Sequence, residues 1–134
     1  MATDLFSSDG AARWQLRLNT SPGFAAAAHR WTGSLLLVEE EEGVSPARCT
    51  WVRISAGQCL EARCGESSDS EAADFVLAAS PRTWESLAAA RTTPATAALT
   101  GQLKLTKGEV LALIPHARAA AELLAAAADD ESGF

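Results

Sequence analysis

Apolar residues along this chain fall into two rhythms. A period of two sets Thr50, Val52 and Ile54 against Trp51 and Arg53, and Leu60 and Ala62 against Glu61 and Arg63. These runs, over residues 48–55 and 58–64, predict a hairpin. A three-residue loop, Ser55-Ala56-Gly57 with Gly57 left-handed, pairs like faces, whereas a two-residue loop would oppose Val52 to Glu61. The chosen register turns Cys64 inward and Cys49 and Cys59 outward. The run Leu35-Leu36-Leu37-Val38 predicts a strand over residues 34–39 buried on both faces. Phe75, Leu77 and Ala79 alternate with Val76 and Ala78 in a further buried strand over residues 74–79. Leu103 and Leu105 share one face of a last strand over residues 102–106.

Helical spacing fills the gaps. Trp14, Leu16 and Leu18 among Arg13, Gln15 and Arg17 predict a short helix from Ala11 that breaks near Asn19-Thr20. Ser21-Pro22 reads as N-cap and first helical position of a helix to about Arg30, with Phe24, Ala27, Ala28 and Trp31 as its apolar side. Ser80-Pro81 repeats that signal ahead of Trp84, Leu87, Ala88 and Arg91. Thr92-Thr93-Pro94 ends that helix and starts a short one through Leu99. In the final segment Val110, Ile114, Ala117, Ala121 and Leu124 form one apolar stripe flanked by Leu111 and Leu123. Pro115 lacks a donor and clashes with the carbonyl of Leu111, so a short helix from about Glu109 should break near Ile114-Pro115 and a second should run to about Ala128.

Length and charge bound the rest. A chain of 134 residues is one domain. The expected division is a flexible leader over 1–10, a single domain over 11–128 and a flexible tail over 129–134. A net charge of −6 argues against non-specific nucleic-acid binding and simple adsorption to anionic lipid. No apolar run approaches the length of a membrane span, and residues 1–8 carry no signal-peptide pattern. An odd count of three cysteines fits a reduced, cytoplasmic protein better than a disulfide framework. Glu39 to Glu42 with Gly43 reads as a solvated turn.

At this point the order of elements is two helices, a strand, a hairpin, a strand, a helix, a strand and C-terminal helices. Three segments carry a likeness: Asn19 to Trp31 with the strand after it; Asp74-Phe75-Val76-Leu77-Ala78-Ala79-Ser80 with Thr83-Trp84-Glu85-Ser86-Leu87; and Pro94 through Thr100-Gly101-Gln102-Leu103-Lys104-Leu105. In these the chain resembles the sterol carrier protein type two family, as a stand-alone domain, although Lys107-Gly108-Glu109 stands where many members have Gly-Asp. The resemblance implies an α+β fold: a five-stranded, mostly antiparallel sheet with helices packed on one face and an apolar tunnel between them. It also implies a hydrophobic small-molecule ligand such as a sterol or fatty acyl chain. The residues expected to line the tunnel are Val52, Ile54, Leu60, Phe75, Leu77, Trp84, Leu87, Leu103, Leu105, Leu111, Ile114 and Leu124.

No catalytic or metal-binding constellation is expected, and no cofactor. His29 and His116 lack ligand spacing, the cysteines lack a Cys-x-x-Cys pair, and no phosphate-cradling loop is present. Two alternatives stand beside the carrier reading. One is a small isomerase or cyclase using the same cavity, with His116, Glu109, Glu85 or Asp74 turned into it. The other is a homodimer or a module docking to a larger enzyme.

Overall fold

Three helices start where a hydroxyl side chain precedes a proline. Ser21 Oγ accepts from Phe24 N at the head of α2 (Pro22–Ala27), Ser80 Oγ from Thr83 N at α3 (Pro81–Ala88), and Thr93 Oγ1 from Thr96 N at α4 (Pro94–Leu99). Each cap satisfies an orphan amide, and the proline at N1 has no amide to orphan. The computed structural model describes residues 6–43 and 47–126, without the side chains of Ser67 and Val110. Residues 1–5 and 127–134, which hold most of the expected leader and all of the expected tail, lie outside it. So do Val110's place in the C-terminal stripe and the expected helix end at Ala128.

Five strands form one mixed sheet in the order β3-β2-β1-β4-β5, with β1 Thr32–Glu39, β2 Arg48–Ser55, β3 Gln58–Gly65, β4 Phe75–Ala79 and β5 Lys104–Lys107. Only β1 and β4 run parallel; the other pairs are antiparallel. One sheet face lies in the main core, beneath α1 (Ser8–Asn19), α2 and the C-terminal helices. The other carries a smaller cluster of Leu36, Cys49, Trp51, Ala73 and Val76. α1 begins at Ser8, capped by Ser7, with the buried Phe6 ahead of it.

The hairpin differs from its expected register in an instructive way. Ser55 pairs with Gln58, so the loop has two residues, Ala56 and Gly57, both left-handed at φ 49° and 84°. A bulge then places Arg53 opposite Glu61 and Val52 opposite Ala62. Leu60 is the extra residue. It is 47% exposed and not an inward position, while Cys59 turns inward and is buried. The cause is tertiary: β3 is an edge strand whose free groups are taken by α1. Asn19 accepts from Cys59 N and donates to Cys59 O, and Gln15 accepts from Ala62 N and donates to Leu60 O. These amides close an edge that would otherwise be free to pair with another chain.

Glu39 is a second correction. It ends β1 buried, and Arg48 donates to both its oxygens at 2.8 and 3.1 Å. Arg48 also lies over the Phe6 ring, which packs edge-on against Trp84. Only Glu40 to Glu42 remain as the exposed acidic turn.

Candidate functional site

Strand pairing lays out an apolar floor. Leu35 and Leu37 point to the same face of β1; Leu37 lies beside Leu77 of β4, and Leu77 beside Leu105 of β5. Leu103 joins this floor from the turn before β5. Gly108 ends the strand at φ 95°, and a Cβ there would fall 2.4 Å from the Phe75 ring, so only glycine lets the chain leave β5 this closely.

The roof comes from three short pieces. α4 contributes Pro94, Ala95, Ala98 and Leu99. The turn of α5 (Val110–Leu113) contributes Leu113, and the 3₁₀ turn Ile114–His116 contributes Ile114. α6 (Ala117–Ala125) presents Ala117, Ala120, Leu123 and Leu124 at helical spacing. The break falls at Ile114-Pro115 as expected. Between roof and floor lies a pocket of about 490 Å³ whose lining residues are all leucine, isoleucine, alanine or proline.

α6 is pinned at both ends. The Trp14 indole, fully buried, donates to Leu123 O at 2.8 Å. At the other end His116 stacks on the buried Trp31 ring, with centroids 5.3 Å apart and planes 9° from parallel. A free swing of the last helix about Pro115 would break both contacts.

The expected lining residues divide. Leu77, Leu103, Leu105, Ile114 and Leu124 stand along the pocket. Val52, Ile54, Trp84 and Leu87 sit in solid core away from it; the Trp84 indole donates to Val38 O. Phe75 packs at the core's margin against Gly108. Leu60 and Leu111 point to solvent, the latter 75% exposed. Sequence reasoning missed Leu35, Leu37, Leu113, Leu123, Pro94, Leu99 and the alanines. The spacing of Ala117, Ala120 and Leu124 by three and four was a readable signal, but alanine alone does not distinguish a cavity wall from tight packing.

The titratable candidates lie elsewhere. Asp74 accepts from Ser34 N at 2.9 Å, Glu85 faces Arg91 at 3.6 Å, Glu109 is exposed, and His116 is held against Trp31. Among the described residues no group of three or more His, Cys, Asp or Glu is arranged to hold a metal, and no helix is long and apolar enough to cross a membrane. All three cysteines are unbridged. Burial pushes the Cys59 thiol up to about 11, and pushes Cys49 upward too, so neither is an activated nucleophile. On the far face Arg63 stacks on Trp51 and its hydrogen bonds hold the Asp69 carboxyl below the usual range.

A search of curated proteins gave no match. Solved structures did match. The chain is 33% identical to a sterol carrier protein 2 whose crystal structure superposes with a TM-score of 0.82, covering 92% of this chain and 97% of that one. A solution structure from Thermus thermophilus, titled as a conserved hypothetical protein with a suggested sterol-carrier role, is 33% identical with a TM-score of 0.78, covering 93% and 88%. The apo sterol carrier protein 2 of Yarrowia lipolytica shares the fold at 17% identity, with a TM-score of 0.58 and coverage of 94% and 99%. The model of the SCP-2 sterol transfer family matches residues 12–111, most of the chain and nearly all of the sheet. With sequence and fold agreeing over that length, the chain belongs to the SCP-2 sterol transfer family.

Proposed function

We propose that this protein binds one hydrocarbon-rich lipid, a fatty acyl chain or sterol-like molecule, in the pocket between β1, β4, β5 and the C-terminal helices, and carries it. Membership of a lipid-binding family supports the class of ligand. The observation that carries the reading is the pocket itself: about 490 Å³, inside the ~300–1,000 Å³ range of small-molecule sites, with an aliphatic lining. Left empty and closed, a void that size would cost about 12 kcal/mol by the scaling of core truncations, comparable to a whole domain's stability. The opening to solvent makes that an upper bound, yet the sign favours an apolar occupant. Holding it needs burial alone, at about 25 cal/mol per Å² of apolar surface. The lining offers no carboxylate or imidazole for acid–base work.

The test is Leu105→Trp. Leu105 is half-buried on the pocket floor, so an indole there enters the space without displacing the core beneath α1 and α2. Fluorescent fatty-acid uptake should fall at least tenfold while circular dichroism and melting stay near wild type. Unchanged uptake in a folded variant places the ligand elsewhere.

A further inference from the structure

The exposed large apolar residues are not spread evenly. Leu99 is 89% exposed and Ile114 59%, and both also line the pocket, so they stand at its mouth. Leu111, 75% exposed, is one turn before Ile114. Such a grouping marks an interaction surface more than a chance exposure. Charge sorts the same way. Residues 91–118, which build the mouth, carry Arg91, Lys104, Lys107 and Arg118 against one acid, Glu109. That is a net of +3 in a chain of −6, leaving −9 for the remainder. Arg91 and Lys104 face Glu85 and Glu40 only in exposed pairs at 3.6 and 3.4 Å, and Lys107 reaches the carbonyls of Ser70 and Glu71. Arg118, next to the lining residue Ala117, is exposed and makes no ion pair among the described residues.

We infer that the α4–α5 mouth docks on the surface of a bilayer containing anionic lipid, with Leu99, Leu111 and Ile114 entering the headgroup–acyl boundary and Arg118 and Arg91 facing the phosphates. This rests on the lipid-carrier reading, because the mouth is where a lipid would pass. An apolar rim flanked by cations suits an anionic membrane surface better than it suits a second copy of this acidic chain. The −9 remainder is repelled by the same surface, so it turns the mouth toward the membrane and keeps docking weak and brief.

The test uses the full chain with vesicles of phosphatidylcholine alone or with one third phosphatidylglycerol. Co-sedimentation should be stronger on the anionic vesicles and should fall as salt is raised past ~0.1 M, where screening shortens to about 10 Å. Neither Leu111 nor Arg118 lines the pocket. Leu111→Ser should weaken vesicle binding about tenfold, and Arg118→Glu at least fivefold, at about fivefold per cation lost. Uptake of a fatty acid dissolved as monomer is measured in parallel and should not change in either variant. Vesicle binding that ignores charge and both substitutions overturns the docking surface while leaving the pocket standing. Failure of monomer uptake in the wild type counts instead against the carrier reading. A dimer in light scattering that Leu111→Ser dissolves assigns the patch to a second copy and overturns the membrane assignment.

Discussion

The two halves of the space above the sheet are filled by different means. Over β1, β2 and β3, α1 and α2 send down Trp14, Leu18, Phe24 and the neighbouring Trp31, all with 2% exposure or less, onto Val52, Ile54 and Cys59. Over β1, β4 and β5, α4 and α6 send down Ala95, Ala98, Ala117 and Ala120. A tryptophan reaches across the gap between helix and sheet and an alanine does not. The same architecture therefore yields a solid core at one end and a pocket of about 490 Å³ at the other. The aromatic half supplies the stability that lets the alanine half stay open.

The largest expected effect breaks the solid half. Trp14→Ala removes a fully buried indole and leaves Leu123 O without its donor. It should cost about 3–5 kcal/mol from the cavity and about 1–3 more from the unpaired carbonyl, measured by urea unfolding. A loss below about 1 kcal/mol would mean that the two halves do not depend on each other as described.

The buried thiol of the solid half gives the next effect. Cys59 has a folded value near 11 against an ordinary 9.0, chiefly from burial. The folded state thus favours the neutral thiol. Its contribution is complete below about pH 9 and is lost as pH rises through about 11, some 2–3 kcal/mol in all. The chain has no tyrosine to confuse that range. Cys59→Ala should flatten the stability–pH slope between those limits, and an unchanged slope would assign it to other groups.

Filling the open half should do the reverse of emptying the closed one. Ala120→Leu places an isobutyl group against the pocket and should raise the stability of the ligand-free protein by about 1–2 kcal/mol while lowering lipid uptake. Destabilisation with full uptake would show that Ala120 packs tightly. The smallest effect is local: Ala56 holds φ 49° in the hairpin loop, and Ala56→Asn should stabilise by about 0.5–1 kcal/mol in thermal melts.

The same contrast explains what was legible in the sequence. Caps written in adjacent residues were readable: Ser21-Pro22, Ser80-Pro81 and Thr93-Pro94 each start a helix, and Pro115 breaks one. Strand faces set by alternation were readable too, as Leu103, Leu105 and Leu77 show. The bulge at Leu60 was not, because side chains 40 or more residues away in α1 hold it in place. Pocket residues such as Leu105 were found because they are large and patterned. The alanine roof was missed because a cavity is written in what a side chain fails to fill, and Leu111 was misplaced because a four-residue helix shows too little period to tell its inner side from its outer.

The central claim is that the alanine-roofed end holds a lipid, and native mass spectrometry of the purified protein mixed with a fatty acid tests it most directly. A one-to-one complex is predicted for the wild type and the bare mass for Leu105→Trp. Bare wild-type protein at saturating lipid, or equal loading of both proteins, would contradict it.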